Sequence, residues 1–121
     1  MKRRMSFGLL TVVAMLSLGL SSAFAEETTK FVPVEFTAEY LANPAKFELG
    51  KEIWFEQCTH CHGFKAYPGK APKLKPARYK PDFVYKRITK GFKKMPGWQD
   101  VYDDDERMAL VAYILHKDFS P

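Results

Sequence analysis

The stretch Cys58-Thr59-His60-Cys61-His62 decides how this 121-residue chain is interpreted. Two cysteines separated by two residues and followed at once by a histidine form the attachment signature for c-type haem. Each thiol can add across one vinyl group of the porphyrin, and the two-residue spacing suits the separation of the vinyls. The imidazole of His62 then points at the iron from the proximal side. The sequence therefore predicts one covalently attached haem, bound by Cys58 and Cys61 and ligated by His62.

Three other uses of the motif explain its residues less well. A structural zinc site needs four nitrogen or sulfur ligands, but the whole chain has 2 Cys and 3 His. In addition, His60 and His62 lie too close together in sequence to serve one tetrahedral centre easily. A thioredoxin-like cysteine pair lies between a strand and a helix start, whereas this pair ends a helical pattern. A disulfide between Cys58 and Cys61 would leave His62 unexplained.

The first 25 residues have the pattern of a secretory signal peptide. Basic residues 2–4 precede an apolar run over residues 7–20, and residues 23–25 (Ala-Phe-Ala) form a small-x-small cleavage site. The alternative is an uncleaved membrane anchor, but the apolar run is shorter than the ~20 residues that cross a bilayer. We therefore expect export to the periplasm, cleavage after residue 25 and no stable membrane anchor.

The mature chain is predicted to consist of an N-terminal extension and one haem domain. Residues 26–43 have no clear hydrophobic period and are assigned to the extension, while residues 44–121 are assigned to the domain. Asn43 is a suitable N-cap for a helix that ends at the haem motif. A second helix is predicted to begin at Pro81 and to end at Gly91.

The last predicted helix covers residues 105–117 and begins with a capping box. Asp103 and Glu106 have the spacing in which each side chain bonds the backbone of the other. Four apolar side chains of this helix are predicted to face inward, namely Leu110, Val111, Tyr113 and Ile114. In the second helix the predicted buried positions are Phe83, Val84 and Ile88.

Charge is distributed unevenly along the chain. Residues 65–94 contain eleven Lys or Arg and one acid, Asp82, whereas residues 100–106 form an acidic cluster. Nucleic acid is an unsuitable partner for an exported protein, so the basic segment is either a solvated face or a docking surface. In the second case it surrounds the exposed haem edge, with the acidic cluster away from that edge. Periplasmic redox proteins with an acidic docking face are then the expected partners.

Beyond the motif, the chain resembles class I c-type cytochromes, the small bacterial monohaem electron carriers. The shared residues are Gly50 and Trp54, Pro72 and Leu74 in an Ala-Pro-x-Leu context, Gly91 with Met95-Pro96, and Leu110 with Ala112-Tyr113. The resemblance implies an all-α cytochrome c fold, in which three to four helices surround one covalently bound haem. It also implies that the first and last helices cross at Gly50.

The resemblance gives Pro72 a role beside the proximal ligand. Its backbone carbonyl would accept a hydrogen bond from Nδ1 of His62, which fixes the ring and raises its basicity. Haem propionates need further hydrogen-bond donors, and the sequence offers several without choosing among them. These candidates are Tyr67, Arg78, Tyr79, Tyr85 and Trp98.

The sixth iron ligand is predicted to be Met95. Met95 and Met108 are the two methionines that remain after signal removal. Met108 falls among core residues of the last helix, whereas Met95 lies in a loop late in the chain, before Pro96. A soft thioether stabilises Fe(II) and raises the reduction potential.

With both axial positions filled, we expect an electron carrier and not an enzyme. The chain would carry one electron between a dehydrogenase or membrane complex and a terminal oxidase or reductase. It would act as a monomer or as the small cytochrome subunit of a larger redox complex. The alternative is a haem enzyme, or a small-ligand-binding haem protein, with an open distal site. A haem sensor or assembly module is neither supported nor excluded.

Overall fold

Start signals in the sequence determine where the helices of the chain begin. The computed structural model describes residues 34–120. The predicted signal peptide and residues 26–33 of the predicted extension lie outside them. Within residues 34–120 there is no strand, and no helix is long and apolar enough to cross a membrane. The α-helices are α1 (Ala38–Leu41), α2 (Pro44–Ile53), α3 (Thr59–His62), α4 (Pro81–Lys90) and α5 (Asp104–Leu115). A π-helical segment (Trp54–Cys58) joins α2 to α3, and a 3-10 turn (Pro76–Arg78) precedes α4.

The caps predicted for α2 and α5 are confirmed. The Ala45 amide donates to Oδ1 of Asn43 at 2.9 Å, so this side chain satisfies one of the free amides of the first turn. At α5, the Glu106 amide donates to Oδ1 of Asp103 at 2.9 Å, and the Asp103 amide donates to Oε2 of Glu106 at 2.8 Å. These reciprocal bonds are the predicted capping box, and they fix the start of α5.

The crossing of α2 and α5 at Gly50 is also confirmed. A Cβ atom at this position would lie 2.0 Å from the carbonyl oxygen of Ala109 and 2.9 Å from Cβ of Tyr113. Only glycine lets the two backbones approach so closely. One turn beyond Gly50, the buried Trp54 ring meets Phe119 edge-on, with their centroids 4.8 Å apart. The crossing therefore fixes the helix just before the haem motif.

The buried side of α4 was predicted in part. Val84 and Ile88 are buried as expected, together with Tyr85 and Thr89. The prediction that Phe83 is buried is wrong, because 44% of this side chain is exposed. The buried stripe at positions 84, 85, 88 and 89 leaves residue 83 on another side of the helix. Helix α4 ends as predicted at Gly91, whose φ of 72° suits glycine.

Residues 34–43 pack against the helical core. The Phe36 ring contacts the Tyr85 ring, with centroids 5.8 Å apart. The hydroxyl of Tyr40 donates to Oδ1 of Asp105 at 2.9 Å, and Lys46 forms an ion pair with the same carboxylate. These bonds hold the pKa of Asp105 below its usual range and connect α1 to the first turn of α5.

Replacing Gly50 with alanine should destabilise the protein by about 1–3 kcal/mol, the usual cost of overpacking a close contact. The new methyl group would overlap the Ala109 carbonyl and force α2 and α5 apart. Urea unfolding followed by far-UV circular dichroism measures the change. Lys51→Ala, at the next position of the same helix, is the control and should cost much less. Equal stability of Gly50→Ala and the wild type would show that the two helices do not need this close approach.

Candidate haem site

The helix that carries the motif changes its winding just before the first cysteine. In the segment Trp54–Cys58 the Thr59 amide donates to the Trp54 carbonyl, five residues back, which is a π-helical bond. Such segments are short and are frequent at functional sites. Trp54 is buried in the core, while Cys58 is partly buried and Cys61 is exposed. The two thiols thus lie at the edge of the core, on a well-defined helical turn.

Trp54 connects the core to the end of the motif. Its indole Nε1 donates to the carbonyl oxygen of Phe64 at 3.0 Å, and its ring centroid lies 5.6 Å from that of His62. Since Phe64 follows His62 by two residues, this bond holds the backbone that leaves the motif. A buried indole needs an acceptor, and the sequence did not indicate which carbonyl would supply one.

The loop after the motif folds directly against the motif backbone. The Ala71 amide donates to the Cys61 carbonyl at 2.8 Å. A Cβ at Gly69 would lie 2.4 Å from that carbonyl oxygen, and a Cβ at Gly63 would lie 1.9 Å from the Pro68 carbonyl oxygen. Gly63 also has a φ of 81°, which favours glycine. Sequence reasoning did not assign a role to either glycine, although the Pro68-Gly69 turn signal was visible.

The chemical states of Cys58 and His62 suit covalent haem attachment. Burial, together with the nearby Cys61 thiol, raises the pKa of Cys58 to about 12, so this group is a neutral thiol at pH 7. Burial lowers the pKa of His62, which keeps the imidazole neutral and its lone pair available to a metal. Nδ1 of His62 is buried and has no hydrogen-bond partner among residues 34–120. Two free thiols beside a neutral imidazole are the donor set that a c-type haem requires.

The hydrogen bond expected between His62 and Pro72 is not formed in the structure. Nδ1 of His62 has no hydrogen-bond partner within the described part of the chain, and Pro72 lies exposed on the loop. Backbone hydrogen bonds on either side of Pro72 fix the conformation of the loop. The Ala71 amide donates to the Cys61 carbonyl, and the Leu74 amide donates to the Ala66 carbonyl at 3.1 Å. A role of Pro72 toward the haem stays a prediction.

Met95 lies in a closed loop at the end of α4. The amide of Phe92 donates to the Met95 carbonyl and the amide of Met95 donates to the Phe92 carbonyl, both at 3.0 Å. The Trp98 amide donates to the Ile88 carbonyl of α4 at 2.9 Å. Met95 is partly buried and packs against the same hydrophobic cluster as Cys58. Met108 packs against this cluster from within α5, as expected for a core residue.

One of the predicted propionate donors, the Tyr85 hydroxyl, already donates to another side chain in the structure. The hydroxyl of Tyr85 donates to Oδ1 of Asp104 at 2.8 Å, so its proton is already used. Tyr79 uses its hydroxyl oxygen to accept from the Lys75 amide at 2.9 Å, which leaves its proton available. Nζ of Lys73 lies 3.8 Å from the centroid of the exposed Tyr67 ring.

Tyr102 precedes α5 and lies near charged groups of both the motif helix and the first turn of α5. Burial raises the pKa of Tyr102, and the nearby Glu56, Cys58 and Glu106 raise it further. Tyr102 is therefore within electrostatic reach both of the first cysteine and of the first turn of α5. The position of the acidic cluster relative to the haem edge stays a prediction.

The sequence profile of one protein family, described as cytochrome c oxidase, cbb3-type, subunit III, matches residues 45–114. The chain belongs to this family of c-type cytochromes. The cytochrome thus has the all-α cytochrome c fold, and a domain of this class supports electron transfer on covalently bound haem. No curated protein sequence matches closely enough to count as a relative.

Solved structures that are similar to the cytochrome include the following two. The dihydro-haem d1 dehydrogenase NirN in complex with DHE is 32% identical over 56% of this chain, with a TM-score of 0.53. This chain spans 16% of the length of that dehydrogenase. The c-type cytochrome NirC is 19% identical, with a TM-score of 0.52 over 65% of this chain and 99% of its own. The likeness to NirC supports the fold.

Replacing both motif cysteines with serine should abolish covalent haem attachment. A serine hydroxyl does not form the thioether bond, so the Cys58→Ser/Cys61→Ser variant should give no haem-stained band on a denaturing gel. We also expect it to accumulate poorly, since so small a chain buries a limited core without its cofactor. A Thr59→Ser variant, changed within the same turn, should retain the stained band. Haem staining of the double variant would contradict the assignment.

Proposed function

We propose that this cytochrome is a periplasmic electron carrier in which His62 and Met95 ligate one haem iron. It would carry one electron between a dehydrogenase or membrane complex and a terminal oxidase or reductase. The observation that carries the proposal is the closed loop around Met95. Two reciprocal backbone bonds fix this loop, and its methionine packs against the same cluster as Cys58.

The roles of the two side chains follow from their chemistry. When bound, the haem supplies a one-electron Fe(III)/Fe(II) couple. His62 donates the lone pair of a neutral imidazole, which its lowered pKa keeps available. Met95 offers a thioether, which favours Fe(II). If His62 and Met95 both held the iron, no site would be left there for a substrate, and electrons would pass through the edge of the haem.

The surroundings of both proposed ligands restrict their movement. The Trp54 indole bonds the Phe64 carbonyl and so fixes the backbone that follows the motif. The Trp98 amide bonds a carbonyl of α4 and so connects the Met95 loop to that helix. A ligand that keeps its place in both oxidation states lowers the structural rearrangement that accompanies each electron. Such rigidity suits a carrier that must both accept and release electrons quickly.

Basic side chains provide the proposed docking surface for an acidic redox partner. Ten of the eleven Lys and Arg side chains between residues 65 and 94 are exposed. Leaving Lys90 aside, none of them forms an ion pair with a residue between 34 and 120. We place the docking surface on the stretches 65–75 and 86–94, which flank the motif and the Met95 loop. Unpaired exposed charge of one sign steers the approach of an oppositely charged protein.

A second candidate function is that of the cytochrome part of a larger redox enzyme. The observation that favours it is the 32% identity to one portion of the dihydro-haem d1 dehydrogenase NirN. In that case the chain would pass electrons to or from a partner enzyme that holds the substrate. Co-purification of the cytochrome with a redox enzyme at a fixed ratio would support this function over that of a free carrier.

Replacing Met95 with alanine should remove the sulfur ligand. We expect loss of the sulfur–iron charge-transfer band of the ferric protein and a lower reduction potential, because the thioether stabilises Fe(II). The reduced variant should bind carbon monoxide rapidly, whereas the reduced wild type should not. Met108→Leu is the matched control and should leave all three properties nearly unchanged. Rapid, complete carbon monoxide binding by the wild type would instead favour a haem protein with an open distal site.

Reversing two charges beside the Met95 loop should slow electron transfer with the physiological partner. Lys93→Glu/Lys94→Glu should lower the association rate severalfold at low ionic strength, with the difference fading as salt screens the charges. Stopped-flow spectroscopy at several salt concentrations measures these rates. Lys51→Glu/Lys117→Glu makes the same charge change outside the docking surface and should have a smaller effect. Rates that respond to neither salt nor charge reversal would leave the basic segment as a solvated face.

A further inference from the structure

Two exposed phenylalanine rings from either side of the haem motif meet on the surface of the protein. Phe64 is 73% exposed and Phe55 is 44% exposed. The two rings contact each other, with their centroids 5.9 Å apart. A single exposed apolar side chain is common on a protein surface, whereas adjoining ones form a patch of the kind that marks an interaction site.

Hydrogen bonds fix the backbone that carries both rings. Oγ1 of Thr59 donates to the Phe55 carbonyl oxygen at 3.0 Å. The indole Nε1 of Trp54 donates to the Phe64 carbonyl oxygen, also at 3.0 Å. Because this backbone is already ordered, less conformational entropy is lost when a partner covers the rings.

Two carboxylates border the rings. Glu52 and Glu56 are exposed, as is Phe55, and residues at positions i, i+3 and i+4 share one face of a helix. Neither carboxylate forms an ion pair with a residue between 34 and 120. Together with Phe64 these three residues form a surface that we call the acidic aromatic face.

The cations next to this face in sequence are engaged elsewhere. Nζ of Lys51 pairs with the Glu48 carboxylate at 3.4 Å. Nζ of Lys65 donates to the Asp118 carbonyl oxygen at 3.0 Å. The border of the acidic aromatic face is therefore negative.

The acidic aromatic face differs in charge and in chemistry from the basic docking surface proposed above. Aromatic side chains are enriched at the centres of protein interfaces, and complementary charges around them orient the partner. Two rings fall far short of the ~800 Å² per partner that a stable interface buries, so they suit a transient complex. We propose that this face is a second docking surface, which binds a redox protein that presents an apolar area bordered by Lys or Arg. This inference rests on the proposed carrier function.

The acidic aromatic face lies beside the backbone of the proposed proximal ligand. Phe64 follows His62 by two residues, so two peptide bonds join the residue that a partner would cover to that ligand. In addition, the Trp54 indole that bonds the Phe64 carbonyl has its ring centroid 5.6 Å from that of His62. A donor and an acceptor of opposite charge would then bind the cytochrome at different places.

Two redox probes of opposite charge test the proposal on the purified ferric holoprotein. Zinc-substituted mitochondrial cytochrome c is the basic probe, and its photoexcited state donates one electron to a ferric haem. Reduced flavodoxin is the acidic probe and donates one electron from its flavin. Laser-flash and stopped-flow spectroscopy measure the two bimolecular rates through the absorbance of the reduced haem, at several salt concentrations.

Removing the rings should slow electron transfer from the basic probe alone. Phe55→Ser/Phe64→Ser takes away the apolar contact and should lower that rate severalfold at every salt concentration, while the rate with flavodoxin stays nearly unchanged. Both rings are exposed, so we expect the fold to be retained, which far-UV circular dichroism checks. Val101→Ser removes another exposed apolar side chain outside the face and should change neither rate.

Reversing the two carboxylates tests the same face without changing the rings. Glu52→Lys/Glu56→Lys should lower the rate with the basic probe severalfold at low ionic strength, and the difference should fade as salt screens the charges. Glu35→Lys/Glu39→Lys makes the same charge change at two other exposed acids and should have a smaller effect.

Equal rates with the basic probe for the wild type and for both variants of the face would overturn the proposal. So would an equal loss with both probes, because the rings would then belong to one docking surface that all partners share. In both cases the wild type still accepts electrons from both probes, so the carrier function stands. A wild type that accepts electrons from neither probe would overturn the carrier function and this inference together.

Discussion

The close approach of two helix backbones at Gly50 is the contact on which the other features of this cytochrome depend. With no side chain at residue 50, α2 lies directly against the Ala109 carbonyl of α5. This crossing determines where Trp54 enters the core. Trp54 in turn holds the backbone after His62 through its bond to Phe64. Because residue 50 has no side chain, the packing of the core thus determines the position of the proximal imidazole.

Features that depend on neighbouring residues could be predicted from the sequence. The N-cap at Asn43, the capping box at Asp103 and the stop at Gly91 each rest on bonds or dihedral angles within a few residues. The haem motif is equally local, since its chemistry depends on the spacing of two thiols and one imidazole. Gly50 was interpreted correctly because a glycine inside a helix is costly and needs a packing reason.

Features that depend on the course of the loops could not be predicted in this way. Nothing in the sequence indicates that Gly69 lies against the Cys61 carbonyl, or that Tyr102 returns to the neighbourhood of Cys58. Phe83 shows the same limit on a helix. An apolar residue next to a buried stripe was assigned to the core by its type, whereas its direction places it beside Arg87. Distant contacts decide such positions, and composition does not encode them.

The π-helical segment before the motif separates two angular registers in one continuous helix. Successive residues of an α-helix are rotated by about 100° about the helix axis. A π-helical turn contains one additional residue, so it changes the direction of every later side chain relative to the earlier ones. The segment therefore sets the directions of the two thiols relative to the core contacts of α2. Shortening the segment by one residue would keep the helix continuous but turn the thiols and the imidazole together away from their present direction. In this respect Trp54–Cys58 acts as an angular spacer, whose length matters more than the identity of its exposed side chains.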